Sequence, residues 1–212
     1  MAAPLKIAPL DASVAPYVSV APSVEAYTVT VTNISRLPLR GLSVEFAGHT
    51  HYIRLNTDPL QPMMAPGESW TYSASQALDW AARPNPPPGI TLSTILAQLD
   101  RNPITVSILW VVDANGRMIG PDPHNDFARL TAQRQARQQL AAELSGAADP
   151  KTVLEAALTT QPGPHSGLFD RDFYNEQRKR DARMLSARTN AESTTAIPNY
   201  ISRARREMPL TK

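Results

Sequence analysis

His49 and His51 stand two apart in the run GHTHYI. On a strand, that spacing puts two imidazoles on one face, an arrangement from which zinc sites are built. A complete site needs a third ligand, and Asp58 and Glu68 are the carboxylates that follow. With the ligand set incomplete, two partly exposed polar residues at a strand end are the favoured reading of the pair. Asp122, His124 and Asp126 form a second alternating set of possible ligands, but it falls where a helix begins. There, capping and the helix macrodipole explain the aspartates. No metal and no cofactor is therefore expected, with His49 and His51 as the metal candidates.

The other chemistry-bearing cluster is basic: Arg178, Lys179, Arg180, Arg183 and Arg188, with Arg203, Arg205 and Arg206 beyond. Such a run could meet a polyanion, whether nucleic acid or an anionic membrane surface. Asp172, Glu176 and Asp181 are interleaved with it, which favours i,i+4 pairs on a solvated helix. Arg178, Lys179, Arg180 and Arg183 are the polyanion-binding candidates; nucleic acid is not the expected partner.

Covalent catalysis finds no support. The chain has no cysteine, which excludes disulfides, thiolate zinc sites and a thiol nucleophile. Neither a nucleophile elbow nor a phosphate-cradling glycine loop is present, and GPHSG at 163–167 lacks the strand-turn-helix setting such a loop needs. No catalytic residue is assigned.

The elements that must position these residues change character along the chain. The most apolar run, ITVSILWVVDANGRMIGP at 104–121, organises the rest. Ile104, Val106, Ile108, Trp110 and Val112 fall on one face at period two, as in an internal strand. Asn115-Gly116 predicts a tight hairpin turn with both residues at positive φ, and a short return strand follows at 117–120. Upstream, 25–34, 39–46 and 68–75 alternate as strands, with Val29 and Val31, then Leu42, Val44 and Phe46, then Trp70 and Tyr72 facing inward. PNPPPG at 84–89 predicts an extended surface loop. The stretch 90–99 fits a short helix or a strand.

After residue 121 the pattern becomes helical. Asp122-Pro123 and Asp149-Pro150 each offer a cap followed by a proline at the first helical position. Phe127, Leu130, Leu140 and Leu144 mark a first helix ending near Ser145-Gly146, though its middle, QRQARQQ, is polar all round. A second runs through Val153, Leu154, Ala157 and Leu158. QPGPHSG at 161–167 reads as a linker, and 168–191 as a charged helix with few apolar anchors. The chain beyond Ile197 has little core material and is expected to be mobile and protease-sensitive.

Net charge is +2, yet residues 171–212 carry ten Lys/Arg against five Asp/Glu, so the basic excess belongs to the end of the chain. No apolar stretch approaches the roughly 20 residues of a membrane span. The first sixteen residues lack the continuous apolar segment of a signal peptide.

Four pieces in order, YTVTVTNIS (27–35), APGESWTYS (65–73), the run at 104–122 and DFARLTAQRQARQQLAAEL (126–144), carry a family likeness. Together they resemble uncharacterised bacterial proteins, often exported, in which an immunoglobulin-like β-sandwich precedes a helical tail. The resemblance covers roughly residues 20–145. It implies a fold and transfers no catalytic residues.

The expected fold is thus mainly β: an extended lead-in at 1–14, an immunoglobulin-like sandwich at 15–121, a helical extension at 122–160, and a linker, charged helix and mobile tail at 161–212. The expected function is non-catalytic: an interaction or structural module of the bacterial envelope or exterior with a protein partner. If no leader was trimmed, the location is cytoplasmic instead. The rivals are a metal-dependent hydrolase using His49 and His51, and a polyanion-binding module acting through the basic tail.

Overall fold

The computed structural model describes residues 5–23, 28–47, 50–61, 63–74, 104–159, 173–191 and 195–212. The expected loop at 84–89, the ambiguous stretch 90–99 and the linker at 161–167 lie outside these. Two units divide the chain. One comprises Met1–Asn56, Gln61–Pro123 and Thr211–Lys212, the other Thr57–Leu60 and His124–Leu210.

Among the described residues the first unit holds eight strands: β1 (Lys6–Ile7), β2 (Val18–Pro22), β3 (Thr28–Asn33), β4 (Gly41–Phe46), β5 (Thr50–Leu55), β6 (Ser69–Ser73), β7 (Thr105–Val112) and β8 (Met118–Ile119). One sheet runs β1-β7-β4-β5 with β8 also on β7, and the other runs β2-β3-β6. Strand β7 is antiparallel to β4 along one edge. Its other edge is divided, with β1 pairing in parallel at Thr105 and Val106 and β8 antiparallel at Val111 and Val112. The expected lead-in therefore contributes a short strand.

Alternation in the sequence produces the core directly. Val29 and Val31 from β3 meet Leu42, Val44 and Phe46 from β4, with Val106 and Ile108 from β7, in one buried cluster shared by the two sheets. Along its open side, Tyr52 of β5 packs edge-on against Phe46 at 5.9 Å, and its hydroxyl donates to the Ser73 carbonyl at 2.8 Å. The Arg54 guanidinium lies over the rings of Trp70 and Tyr72, 5.1 and 5.2 Å from their centroids. An inward-pointing cation beside an outer strand is one of the devices that discourage edge-to-edge association.

Period two fails once, in β7. Ser43 pairs with Trp110 and the next residue, Val44, pairs with Ile108, so Leu109 is an extra residue in the register. This bulge turns Val111 toward the shared core, where it opposes Leu42, and sends Trp110 and Val112 to the other face. Trp110 is fully buried there. The expectation that Ile104 through Val112 keep one face is corrected by that single inserted residue. The turn differs too. Gly116 has φ 85° but Asn115 is not at positive φ. The Gly116 amide donates to the Asp113 carbonyl, and the Asp113 amide donates to the Arg117 carbonyl, which makes a three-residue loop closed by a left-handed glycine. The Asp113 carboxylate accepts from the amides of Asn115 and Arg117.

The second unit contains α1 (Asp126–Gly146), α2 (Pro150–Thr159), α3 (Phe173–Ala191) and α4 (Ala196–Arg206). Helix outweighs strand among the described residues, so the fold is mixed rather than mainly β, with a helical C-terminal region. Asp149-Pro150 starts α2 as expected, its carboxylate accepting from the Lys151 amide at 3.0 Å and the Thr152 hydroxyl at 2.7 Å. Asp122 does not start α1. The cap position is Asn125, at φ 53°, a conformation asparagine tolerates better than most residues.

Leu140, Leu144, Leu154, Ala157, Ala182 and Leu185 form the apolar centre of this unit. Several of its polar side chains are paired within the unit. Arg178 reaches Glu143 at 2.7 Å, Arg137 reaches Glu207 at 2.8 Å, and Tyr200 donates to Asp181 at 2.8 Å. Tyr174 donates to Gln139. At the end of the chain, which the sequence reads as short of core material, the structure places α4, a buried Leu210, and a bond from the Met208 amide to the Thr57 carbonyl. Within the first unit, Thr211 bridges Arg117. Buried polar residues that apolar counting leaves out, among them Asn175, Gln177, Arg178, Asp181 and Glu207, supply the missing contacts.

Trp110→Ala is expected to cost about 3–5 kcal/mol, as truncations of fully buried large aromatics do. Denaturant unfolding followed by circular dichroism measures it. A loss below about 1 kcal/mol would show that the indole does not pack as described.

Candidate functional site

The sequence candidates come apart in the structure. His49 lies outside the described residues. His51, on β5, shares a 2.6 Å hydrogen bond between its Nε2 and the Ser43 hydroxyl. That contact has the form of a nucleophile and its base. Ser43, however, is fully buried in the middle of β4, which is paired on both edges. Its hydroxyl ties β4 to β5 rather than facing a substrate. The two suggested further ligands are committed elsewhere. Glu68 accepts from the Ala65 amide and the Trp70 indole. Asp58, in the second unit, accepts two bonds from Arg206 at 2.9 and 3.2 Å. Among the described residues no three His, Asp or Glu side chains are grouped to hold a metal ion.

Asp122 and Asp126 have different partners. Asp122 faces Lys212 at 3.5 Å, whereas Asp126 is buried and paired with Arg129 at 2.7 Å.

Of the polyanion candidates, Arg178 is buried and paired. It is 7% exposed and both terminal nitrogens are on the Glu143 carboxylate. Arg180 and Arg183 are exposed on α3 and Lys179 is half-buried, while Arg188 adds a further exposed cation on the same helix.

Two features were not singled out in the sequence. The first is the turn joining β3 to β4. Asn33 is fully buried, and its amide nitrogen donates to the carbonyls of Leu37 and Met64, both at 2.9 Å. Its carbonyl oxygen accepts from the Ser35 amide and hydroxyl. The Ile34 amide is held by Tyr17, and Leu39 exchanges two backbone bonds with Met64. A loop with so many bonds to one buried side chain has little freedom to lose on binding. It nevertheless presents Ile34 and Leu37, 54% and 55% exposed, on either side of Ser35 and Arg36. The sequence shows the turn but not the burial of Asn33, which depends on Met64, thirty-one residues on.

The second feature lies within the helical unit. An open groove of about 690 Å³ runs where the end of α1, the start of α2 and one face of α4 meet. Leu144, Pro150, Ile197, Pro198 and Ile201 make its apolar lining, and Ser145, Ser202, Arg205 and Arg206 its polar rim. On α4 these contacts recur at 197, 201 and 205, a helical stripe that ends on arginine. No helix among the described residues is long and apolar enough to cross a membrane.

Compared with known proteins, the chain matches no family model, no curated protein and no solved structure.

The Arg178–Glu143 pair makes a pH-dependent contribution to stability. Hydrogen bonds from Arg178 hold the Glu143 carboxyl below the ordinary glutamate range. A depressed folded-state value means the contribution is complete above the unfolded value of about 4.3 and is lost as pH falls through the folded one. With the carboxylate side chain 37% exposed, Glu143→Gln is expected to cost on the order of 1 kcal/mol at pH 7. That difference should shrink as pH drops below about 4. Urea unfolding of both proteins at pH 7 and pH 3.5 checks the sign.

Proposed function

We propose that the chain is a non-catalytic interaction module, built on an immunoglobulin-like sandwich, whose binding edge is the turn between β3 and β4. The strand order supports the sandwich reading. With β2, β3 and β6 taken as strands A, B and E, and β4, β7 and β8 as C, F and G, the pairings A-B-E and C-F-G match those of that fold, with β1 and β5 as additions to the second sheet. The turn at 33–39 is then the B–C loop, one of the loops that immunoglobulin variable domains use for binding. Placement at a bacterial envelope or exterior rests on the resemblance of the four sequence pieces described above.

The observation that carries this reading is the pairing of a rigid loop with two exposed branched side chains. Fixed apolar anchors bind at low entropic cost. A photo-cross-linking residue placed at Ile34 or Leu37, in cells that make the protein, should give a discrete protein adduct. The same residue at exposed Ser19 on β2 should not. No adduct at either turn position, or identical adducts at all three, overturns the reading.

A second reading, polyanion binding, has one observation in its favour: Arg180, Arg183 and Arg188 are all exposed on α3. It predicts that the triple substitution of these arginines by Gln lowers the salt needed to elute the protein from a heparin column. Elution unchanged from the native protein removes it.

A further inference from the structure

We propose that the groove between α1, α2 and α4 is a binding site for a single-chain amphiphile with a carboxylate head. This inference goes beyond the interaction reading and does not depend on it, because no residue of the groove belongs to the turn at 33–39.

Size sets the class of occupant. At about 690 Å³ the groove is within the usual range for small-ligand sites, roughly 300–1,000 Å³. It is lined by nine residues, whereas a folded protein partner engages about 20–30 on each side. The lining chemistry sets the body of the ligand. Leu144, Pro150, Ile197, Pro198 and Ile201 present aliphatic surface, with no aromatic ring to stack a planar ligand. An alkyl chain gains about 0.8 kcal/mol per methylene on leaving water for such a surface.

The rim sets the head. Arg206 is already engaged, with two bonds to Asp58 and a third, 2.7 Å long, to the Ser202 hydroxyl. Arg205 has a different environment. One terminal nitrogen donates to the Ser145 hydroxyl at 2.6 Å, and no carboxylate among the described residues pairs with it. The α4 sequence, AIPNYISRARR, contains no acid. The hydroxyl steadies the guanidinium beside the apolar lining and leaves its other donors for a two-pronged bond to a carboxylate. One uncommitted cation at the mouth matches one negative charge on the ligand. The α2 N-terminus adds little, since Asp149 already caps it.

The probe is decanoate, used below its micellar concentration, with the full chain in an isothermal titration. Saturable one-to-one binding is expected, weakened about tenfold or more by Arg205→Gln, the loss of a charged hydrogen bond. Arg203→Gln, an exposed arginine on the same helix outside the groove, should leave binding unchanged. Decanol should bind at least tenfold more weakly than decanoate for the same reason. Arg205 is exposed, so its variant tests the head without threatening the fold. Ile201→Asp tests the lining and should abolish binding while circular dichroism stays native. Absence of saturable binding overturns the proposal. So does decanol binding as tightly as decanoate, equal weakening by Arg203→Gln, or tighter binding of decyl phosphate. The photo-cross-linking at Ile34 and Leu37 reads a different surface, so either result stands when the other fails.

Discussion

The bulge at Leu109 lets one eight-residue strand bury side chains through both faces of its sheet. Without it, Trp110 would follow Ile108 into the shared core opposite Leu42, where a residue of that size would overpack it. With it, the core receives Val111 opposite Leu42, and the indole goes to the other side opposite Ser43. The small partners on that second face fit the same logic. Ser43 leaves room beside the indole. At Gly41, a Cβ would come within 2.5 Å of the Arg54 carbonyl oxygen. The hairpin, the divided outer edge of β7 and the adjoining β4 ladder all take their register from this one inserted residue.

The helical unit depends on a different economy. Its apolar centre consists of leucines and alanines, and a layer of charged and amide side chains joins the helices around it. Buried charges stabilise only when their partners and remaining hydrogen bonds are in place. Here most are supplied across helices, Glu143 for Arg178, Glu207 for Arg137 and Asp181 for Tyr200, while Gln177 adds a bond to Asp181 from within α3. Geometry of this kind fixes helix register more sharply than leucine contacts do, because a shift of one turn would leave a charge buried alone.

Local alternation was legible in the sequence, and so were strands β3, β4 and β6. Val29, Val31, Leu42, Val44 and Phe46 face the core as period two requires, and Asp149-Pro150 opens its helix. What could not be read were features decided by distant partners. The bulge in β7 shows only against β4. Asn33 looks like any turn asparagine until Met64 arrives beside it. Arg178 has the composition of a solvated cation, and its burial depends on Glu143, thirty-five residues earlier. The basic end of α4 read as one undivided cluster, although Arg206 is spent on Asp58 and Arg205 is not.

The bridge between Arg117 and Thr211 bears on the order in which the chain can assemble. Strand β8 is two residues long, and the Met118 amide donates to the Thr211 carbonyl. The helices α1 to α4 lie between those two residues in the chain. During synthesis, a ribosome must therefore translate the whole helical region before this margin of the first unit can close. Until then β8 is an open template beside a nascent polypeptide, where a chaperone or a neighbouring chain could pair in its place.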